Sequence, residues 1–170
     1  MATKENNPNI PYTPEEIADA AYKSWQAGAD GVHIHGRNPD GKVTSNPKVY
    51  KKIHRLIREK NCDVIIQDST GLGAHVSTED RVKVIEAGAE MASLNMGTMV
   101  RTGWDESIFL NTPTMIETYV KKMQELNIVP EMEVFSHSMM RDVETLISKG
   151  LVKKPYVVNI VLGSAYQGTL

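Results

Sequence analysis

Two histidines stand two residues apart at His33 and His35, and two glutamates do the same at Glu131 and Glu133. Residues i and i+2 of a β-strand share a face, so each pair would present its polar groups side by side. Two neutral imidazoles on one face can reach a single metal ion. Imidazole suits Zn2+, which in catalytic sites takes three protein ligands and keeps a fourth position open. The competing reading is a pair of rings satisfied by hydrogen bonds in a polar core. Two carboxylates inside a fold are costly unless they are paired or metal-linked, which points to Glu131 and Glu133 as base or ligands; a salt bridge to Arg37 is the alternative. Ser69-Thr70-Gly71-x-Gly73 follows an apolar run. Its hydroxyls and backbone N–H groups could hold an anion such as a carboxylate, or form a plain turn with a helix cap. Ser93 and Asn95 repeat the i, i+2 spacing on another apolar segment.

These residues need elements to position them, and the surrounding pattern supplies strands set between helices. Thr13-Pro14-Glu15-Glu16 carries a cap, a proline suited to the first helical position and a glutamate that completes a capping box. Ile17, Ala20, Ala21, Ser24 and Trp25 follow at helical spacing, and Gly28 sits where that helix would stop. Gly31 to His35 then reads as a strand. Asn46-Pro47 opens a helix carrying Tyr50, Ile53, Leu56 and Ile57, and Asp63 to Gln67 is the next strand. The same grammar gives a helix over Thr78 to Ala87, a strand over Met91 to Met96 and a helix opening at Thr112-Pro113. It ends with a strand over Glu131 to Phe135, a helix over Ser138 to Gly150 and a strand over Tyr156 to Leu162.

Such alternation predicts a parallel sheet built from βαβ units. One strand face collects His33, His35, Gln67, Ser69, Ser93, Asn95, Glu131, Glu133 and Asn159; the other collects Val32, Ile34, Ile66, Leu94, Met132 and Val134. The polar set would lie toward the carboxyl ends of the strands, where ligands of parallel α/β folds bind. Each unit runs about 30 residues, as in a (β/α)8 barrel of about 250 residues. With 170 residues the chain falls roughly 80 short of that design. The expected fold is therefore α/β: an incomplete (β/α)8 TIM barrel holding about strands 2–6, as a single partial domain over residues 1–170. A complete open doubly wound sheet is the rival, but no Gly-rich phosphate loop follows an early strand.

Composition narrows the partners. Nineteen Lys and Arg against 21 Asp and Glu give a formal charge of −2, without a basic footprint for nucleic acid. No apolar run approaches the roughly 20 residues that span a membrane, and the first residues carry no apolar signal segment. A single cysteine, Cys62, has no internal partner and suits a buried thiol in a reducing cytoplasm. Among the remaining polar residues, His54 reads as a surface position on a helix and His75 and His137 as loop positions. Asp68 points away from the polar face, under a helix.

Taken together, the segments NPNIPYTPEEIADAA, AGADGVHIHGRNPDGKVT, VIIQDSTG, MASLNMGTM, IVPEMEVF, LISKGLVKKP and IVLG resemble the β-keto acid cleavage enzymes. These are zinc-dependent (β/α)8 barrels of which the 3-keto-5-aminohexanoate cleavage enzyme is the type. The ordered combination of HxHxR, STG and PExE carries the resemblance. It implies condensation of a 3-keto acid with acetyl-CoA to give acetoacetate and the CoA ester of the shortened acid. It also implies Zn2+ on His33 and His35, polarising the keto carbonyl. Ser69, Thr70, Gly71, Ser93, Asn95 and Arg37 would contact substrate, and Glu133 would serve catalysis in the pocket. A third zinc ligand, together with an Asp and an Arg used in catalysis, is expected from strands outside this chain. The full-length protein is expected to be a cytoplasmic homo-oligomer. Leu72, Gly36 and Asp68 depart from the family pattern. A metal-dependent hydrolase of the amidohydrolase type also uses a strand HxH and is the alternative activity. A further alternative is that the 170-residue chain alone is inactive.

Overall fold

The computed structural model describes residues 3–73, 76–101 and 107–163. In chain order its elements are α1 (Pro14–Gln26), β1 (Gly31–Ile34), α2 (Pro47–Glu59), β2 (Ile65–Asp68), α3 (Thr78–Ile85), β3 (Met91–Asn95), β4 (Met99–Arg101) and β5 (Ser107–Phe109), then α4 (Pro113–Glu125), β6 (Val129–Val134), α5 (Met139–Ser148) and β7 (Val157–Ile160). The helix starts follow from their cap residues. The Thr13 side chain accepts the Glu16 N–H at 3.1 Å while the Glu16 carboxylate accepts the Thr13 N–H at 3.1 Å, the reciprocal capping box. Asn46 accepts the Lys48 N–H at 3.0 Å, Ser77 that of Asp80 at 3.1 Å and Thr112 that of Met115 at 3.3 Å.

Five strands form one parallel sheet in the order β1-β2-β3-β6-β7. The sheet is curled with helices against its apolar face, an incomplete barrel. The β2–β3 ladder is short, pairing Gln67 with Met91 and Asp68 with Ala92. Below it a side chain continues the lacing: Ile66 N–H donates to Glu90 Oε2 at 2.9 Å. Arg58 binds the other Glu90 oxygen and donates to the carbonyls of Cys62 and Val64 at 2.8 and 2.9 Å. Burial opposes the charge on Glu90, yet the Ile66 N–H and Arg58 hold its carboxyl below the ordinary value. The antiparallel β4–β5 hairpin, inserted between β3 and α4, was not anticipated from the sequence.

The apolar strand face is buried as the alternation requires. One cluster joins α1 and α2 to β1 and β2 through Ile17, Ala21, Ile34, Tyr50, Ile53 and Ile66. The second joins α4 and α5 to β3 and β6 through Leu94, Tyr119, Met123, Met132, Val143 and Leu146. Leu72 packs into the first cluster, and Cys62 is a buried free thiol there. No helix among the described residues is long and apolar enough to cross a membrane.

His54 corrects the surface assignment. It lies one helical turn beyond Tyr50, facing β2, with only 14% of its side chain exposed and Nε2 2.9 Å from Asp68 Oδ1. Asp68 does point under α2, as expected, and its carboxyl finds a partner there. Burial raises the Asp68 carboxyl above its ordinary value, with the His54 contact opposing that rise.

Candidate active site

The polar strand face assembles from the register. His33 pairs with Gln67, Ser93 with Glu131, Asn95 with Glu133, and Glu133 with Asn159. Gln67 ties the ends of this row together: its Oε1 lies 2.7 Å from His33 Nδ1, and its Nε2 donates to Glu131 Oε2 at 2.6 Å. A carbonyl oxygen can only accept, so this contact assigns the His33 proton to Nδ1 and leaves Nε2 as the lone-pair nitrogen. Asn95 Nδ2 donates to Glu133 Oε2 at 2.6 Å. The buried Asn95 Oδ1 has no donor among the described residues. Burial raises the Glu133 carboxyl above its ordinary value; His33 opposes the rise, Glu131 adds to it and Asn95 opposes it.

Ligand atoms of His33, Glu131 and Glu133 all lie within 4.8 Å of one another. Donors bonded at about 2.0–2.2 Å around a tetrahedral ion stand about 3.3–3.6 Å apart, so these side chains need close by only about 1 Å to grip one, and one nitrogen with carboxylate oxygens is a donor set that Zn2+ accepts. These residues therefore fit a metal ion. The His35 ring lies beside that of His33, centroids 5.0 Å apart at 60°. Both glutamates point into this cluster, and among the described residues no ion pair joins either of them to Arg37.

The Ser69–Gly71 turn begins where β2 ends. Ser69 N–H donates to the Ile34 carbonyl at 2.9 Å, and its Oγ accepts the Gly71 N–H at 3.2 Å. The Ser69 hydroxyl proton therefore remains to be donated. Thr70 and Ser93 use their groups on each other: Thr70 N–H donates to Ser93 Oγ at 3.0 Å and Thr70 Oγ1 to the Ser93 carbonyl at 2.9 Å. Arg37 orders the loop after β1, donating to the Gly41 carbonyl at 2.7 Å with its guanidinium 5.2 Å from the Tyr12 ring centroid. Asn159 is exposed on the sheet's edge strand, His137 is exposed, and His75 lies outside the described residues.

Two contributors escaped the sequence reading. Gln67 was placed on the polar face but without its bridging role. Arg81 is 2% exposed on α3, donating from Nε to the Thr70 carbonyl at 2.9 Å. A signal for it existed: Arg81 shares the i, i+3, i+4 stripe with Val84 and Ile85, both buried.

The sequence profile of the β-keto acid cleavage enzymes matches residues 1–169. The chain belongs to that family. It is 41% identical over 161 residues to the 3-keto-5-aminohexanoate cleavage enzyme of Acetoanaerobium sticklandii, covering 95% of this chain and 58% of the relative. Identity to the enzyme of the same name from Fusobacterium nucleatum is 40%, with the same coverage. The 3-oxoadipate:acetyl-CoA acetyltransferase of Cupriavidus necator is 28% identical, over 96% of this chain and 56% of its own. Among solved structures, the binary complex of ObcA with oxaloacetate superposes with a TM-score of 0.81 at 23% identity, covering 92% of this chain and 38% of ObcA. That likeness supports the partial-barrel fold. The chain thus spans a little over half the length of the curated relatives it matches.

Proposed function

We propose that the protein containing this chain is a zinc-dependent β-keto acid cleavage enzyme, condensing a 3-keto acid with acetyl-CoA to give acetoacetate and the shortened acyl-CoA. The observation that carries the reading is the convergence of His33, Glu131 and Glu133 within 4.8 Å on the polar face of a sheet belonging to this family. Relatives named 3-dehydrocarnitine:acetyl-CoA trimethylamine transferase and 3,5-dioxohexanoate:acetyl-CoA acetone transferase support the co-substrate.

His33 and His35 would hold Zn2+, with a carboxylate completing the set. A bound zinc ion acts as a Lewis acid on a carbonyl oxygen. The chain's own residues do the rest. Gln67 fixes the His33 ring with its Nε2 lone pair outward. Ser69, whose Oγ already accepts the Gly71 N–H, donates its hydroxyl proton to the substrate carboxylate. Burial raises the half-buried Glu133 carboxyl above its ordinary value, which suits it to proton handling, and Asn95 keeps Oε2 in place. Thr70 and Ser93 serve the substrate by pinning the turn to β3. A reducing, cytoplasmic setting agrees with the free buried Cys62.

Zinc content and turnover test the reading. Purified protein should bind stoichiometric zinc and convert a 3-keto acid only with acetyl-CoA present, and His33→Ala should lose both. Zinc-free protein, or a His33→Ala variant with unchanged turnover, sinks it. Amide or lactone hydrolysis without CoA would favour the amidohydrolase reading.

A further inference from the structure

Among the described residues, the hydrogen-bond partners of the buried Arg81 guanidinium are all neutral. Nε donates to the Thr70 carbonyl at 2.9 Å, Nη1 to the Leu110 carbonyl at 3.1 Å and Nη2 to Asn111 Oδ1 at 2.6 Å. Its guanidinium carbon lies 4.7 Å from the Phe109 ring centroid and 4.8 Å from that of Tyr119. Among the described residues no carboxylate pairs with it. Asn111 is itself held: its N–H donates to Thr98 Oγ1 at 2.9 Å, and its Nδ2 to the carbonyls of Gly97 and Phe109 at 3.2 and 3.3 Å. The end of β5 and the residues after it are thus a bracket around the guanidinium. Burying a charge without a countercharge is unfavourable, and an apolar side chain between two aromatic rings would fill the space without that penalty.

What an apolar residue could not do is hold Thr70. The Thr70 carbonyl and the Gly71 N–H are two ends of one planar peptide group, and that Gly71 N–H donates to Ser69 Oγ at 3.2 Å. Turning this peptide would take the N–H away from Ser69 and free the serine rotamer. The Thr70 N–H on the other side is fixed by Ser93. A cation on the carbonyl also polarises the peptide and strengthens its N–H as a donor.

We propose that Arg81 is a positioning residue for the substrate: by clamping the Thr70 carbonyl it sets the Thr70–Gly71 peptide and, through it, the Ser69 hydroxyl that receives a carboxylate. The assignment rests on the reading of Ser69–Gly71 as the substrate anchor. It separates two jobs, because the turn is clamped by α3 and the β4–β5 hairpin, whereas the metal cluster is held by Gln67 and Asn95.

The test uses Arg81→Lys and Arg81→Met in the full chain. Lysine keeps the charge, but its single ammonium nitrogen replaces the three separate nitrogens with which the guanidinium meets Thr70, Leu110 and Asn111. Amide hydrogen exchange comes first, since it needs no turnover. Exchange at Thr70 and Gly71 should quicken about tenfold in Arg81→Lys and more in Arg81→Met, the loss of a hydrogen bond to a charged group, with β1 and β6 amides unchanged. In steady state KM for the keto acid should rise about tenfold, while zinc content, kcat and KM for acetyl-CoA stay within about twofold. Unchanged exchange at the turn overturns the proposal. So does a uniform rise across the sheet, which marks a general stabiliser, or a parallel loss for both substrates. If Arg81→Met does not fold, Arg81→Lys decides alone. If the unaltered protein cleaves no keto acid, the proposed function falls while the exchange result still decides whether Arg81 sets the turn.

Discussion

Replacing Gly36 by alanine would drive a methyl group into the Tyr50 ring. A Cβ at that position stands 2.7 Å from Cε2, 2.9 Å from Cζ and 3.2 Å from Cδ2 of Tyr50. Carbon atoms rest about 3.5–4.0 Å apart, so the ring or the strand end must withdraw by about 1 Å. The ring has little room, being 0% exposed beside Ile53 and Ile57, each also 0% exposed. Overpacking a filled core costs about 1–3 kcal/mol, and each kcal/mol lowers the melting temperature of a chain this size by about 2–4 °C. Gly97→Ala is the control. Its Cβ comes just as near a side chain, 2.9 Å from Cε and 3.1 Å from Cγ of Met139, but a thioether tail can swing aside. Neither glycine has a positive φ, so the two substitutions differ in the stiffness of the wall they meet. Urea unfolding followed by circular dichroism should show Gly36→Ala as the more costly. Tyr50→Leu, which removes the offending ring atoms, should recover part of the loss, with a coupling of about 0.5–3 kcal/mol in the double-mutant cycle. Equal costs for the two glycine variants, or zero coupling to Tyr50, would refute the argument. Because Gly36 sits between His35 and Arg37, zinc affinity should fall along with stability.

Other perturbations have equally definite outcomes. Gln67→Leu removes the acceptor that fixes the His33 tautomer and should weaken zinc binding about 10–100-fold, read by competition with a chromophoric chelator; unchanged affinity would separate Gln67 from the metal. Glu133→Gln keeps an oxygen for Asn95 to donate to, so folding should persist while kcat falls about 10²–10⁴-fold; full activity would remove Glu133 from proton handling. Asp68 tests linkage through pH. Its folded pKa lies above the ordinary 3.8, so its contribution to stability is present below about pH 4 and is lost as pH rises through the folded value. Asp68→Asn lacks that slope. Its stability relative to the unaltered protein should therefore climb as pH rises above about 4 and level off past the folded value in urea titrations, and a flat or falling difference would contradict the burial argument.

Much of this architecture was legible because helix caps and strand alternation are local signals. Thr13, Asn46 and Thr112 mark their helices correctly, and the i, i+2 rule put His33, Asn95, Glu131 and Glu133 on one face before any contact was known. The β4–β5 hairpin was not legible: three-residue strands are too short to show a period of two. Arg81 was missed because a charged helical residue reads as solvent-facing unless the acceptors that satisfy it are known, and here they are carbonyls 11 and 29 residues away in sequence, with an amide oxygen 30 away. The His54–Asp68 pair was missed for a related reason. A helix flank and a strand end meet only in three dimensions, and nothing in either segment announces the other. Thr70 and Ser93 were grouped with the substrate contacts by the family resemblance; their hydrogen bonds to each other, which also tie neighbouring strands, were not legible.

The short β2–β3 ladder, laced by the Glu90 side chain, has a mechanical consequence. It runs between the two hydrophobic clusters, so the sheet is two packed halves joined along a weak line. His33 and Gln67 stand on one half; Ser93, Asn95, Glu131 and Glu133 stand on the other. An ion held by the β1 histidines and a carboxylate from across the seam would act as a rivet across that line. Thermodynamic reciprocity then makes grip on the ion and cohesion of the halves a single quantity: whatever lets the seam breathe loosens the ion by the same factor, and a variant at Arg58 or Glu90, remote from any ligand, would be felt first as a leak of metal.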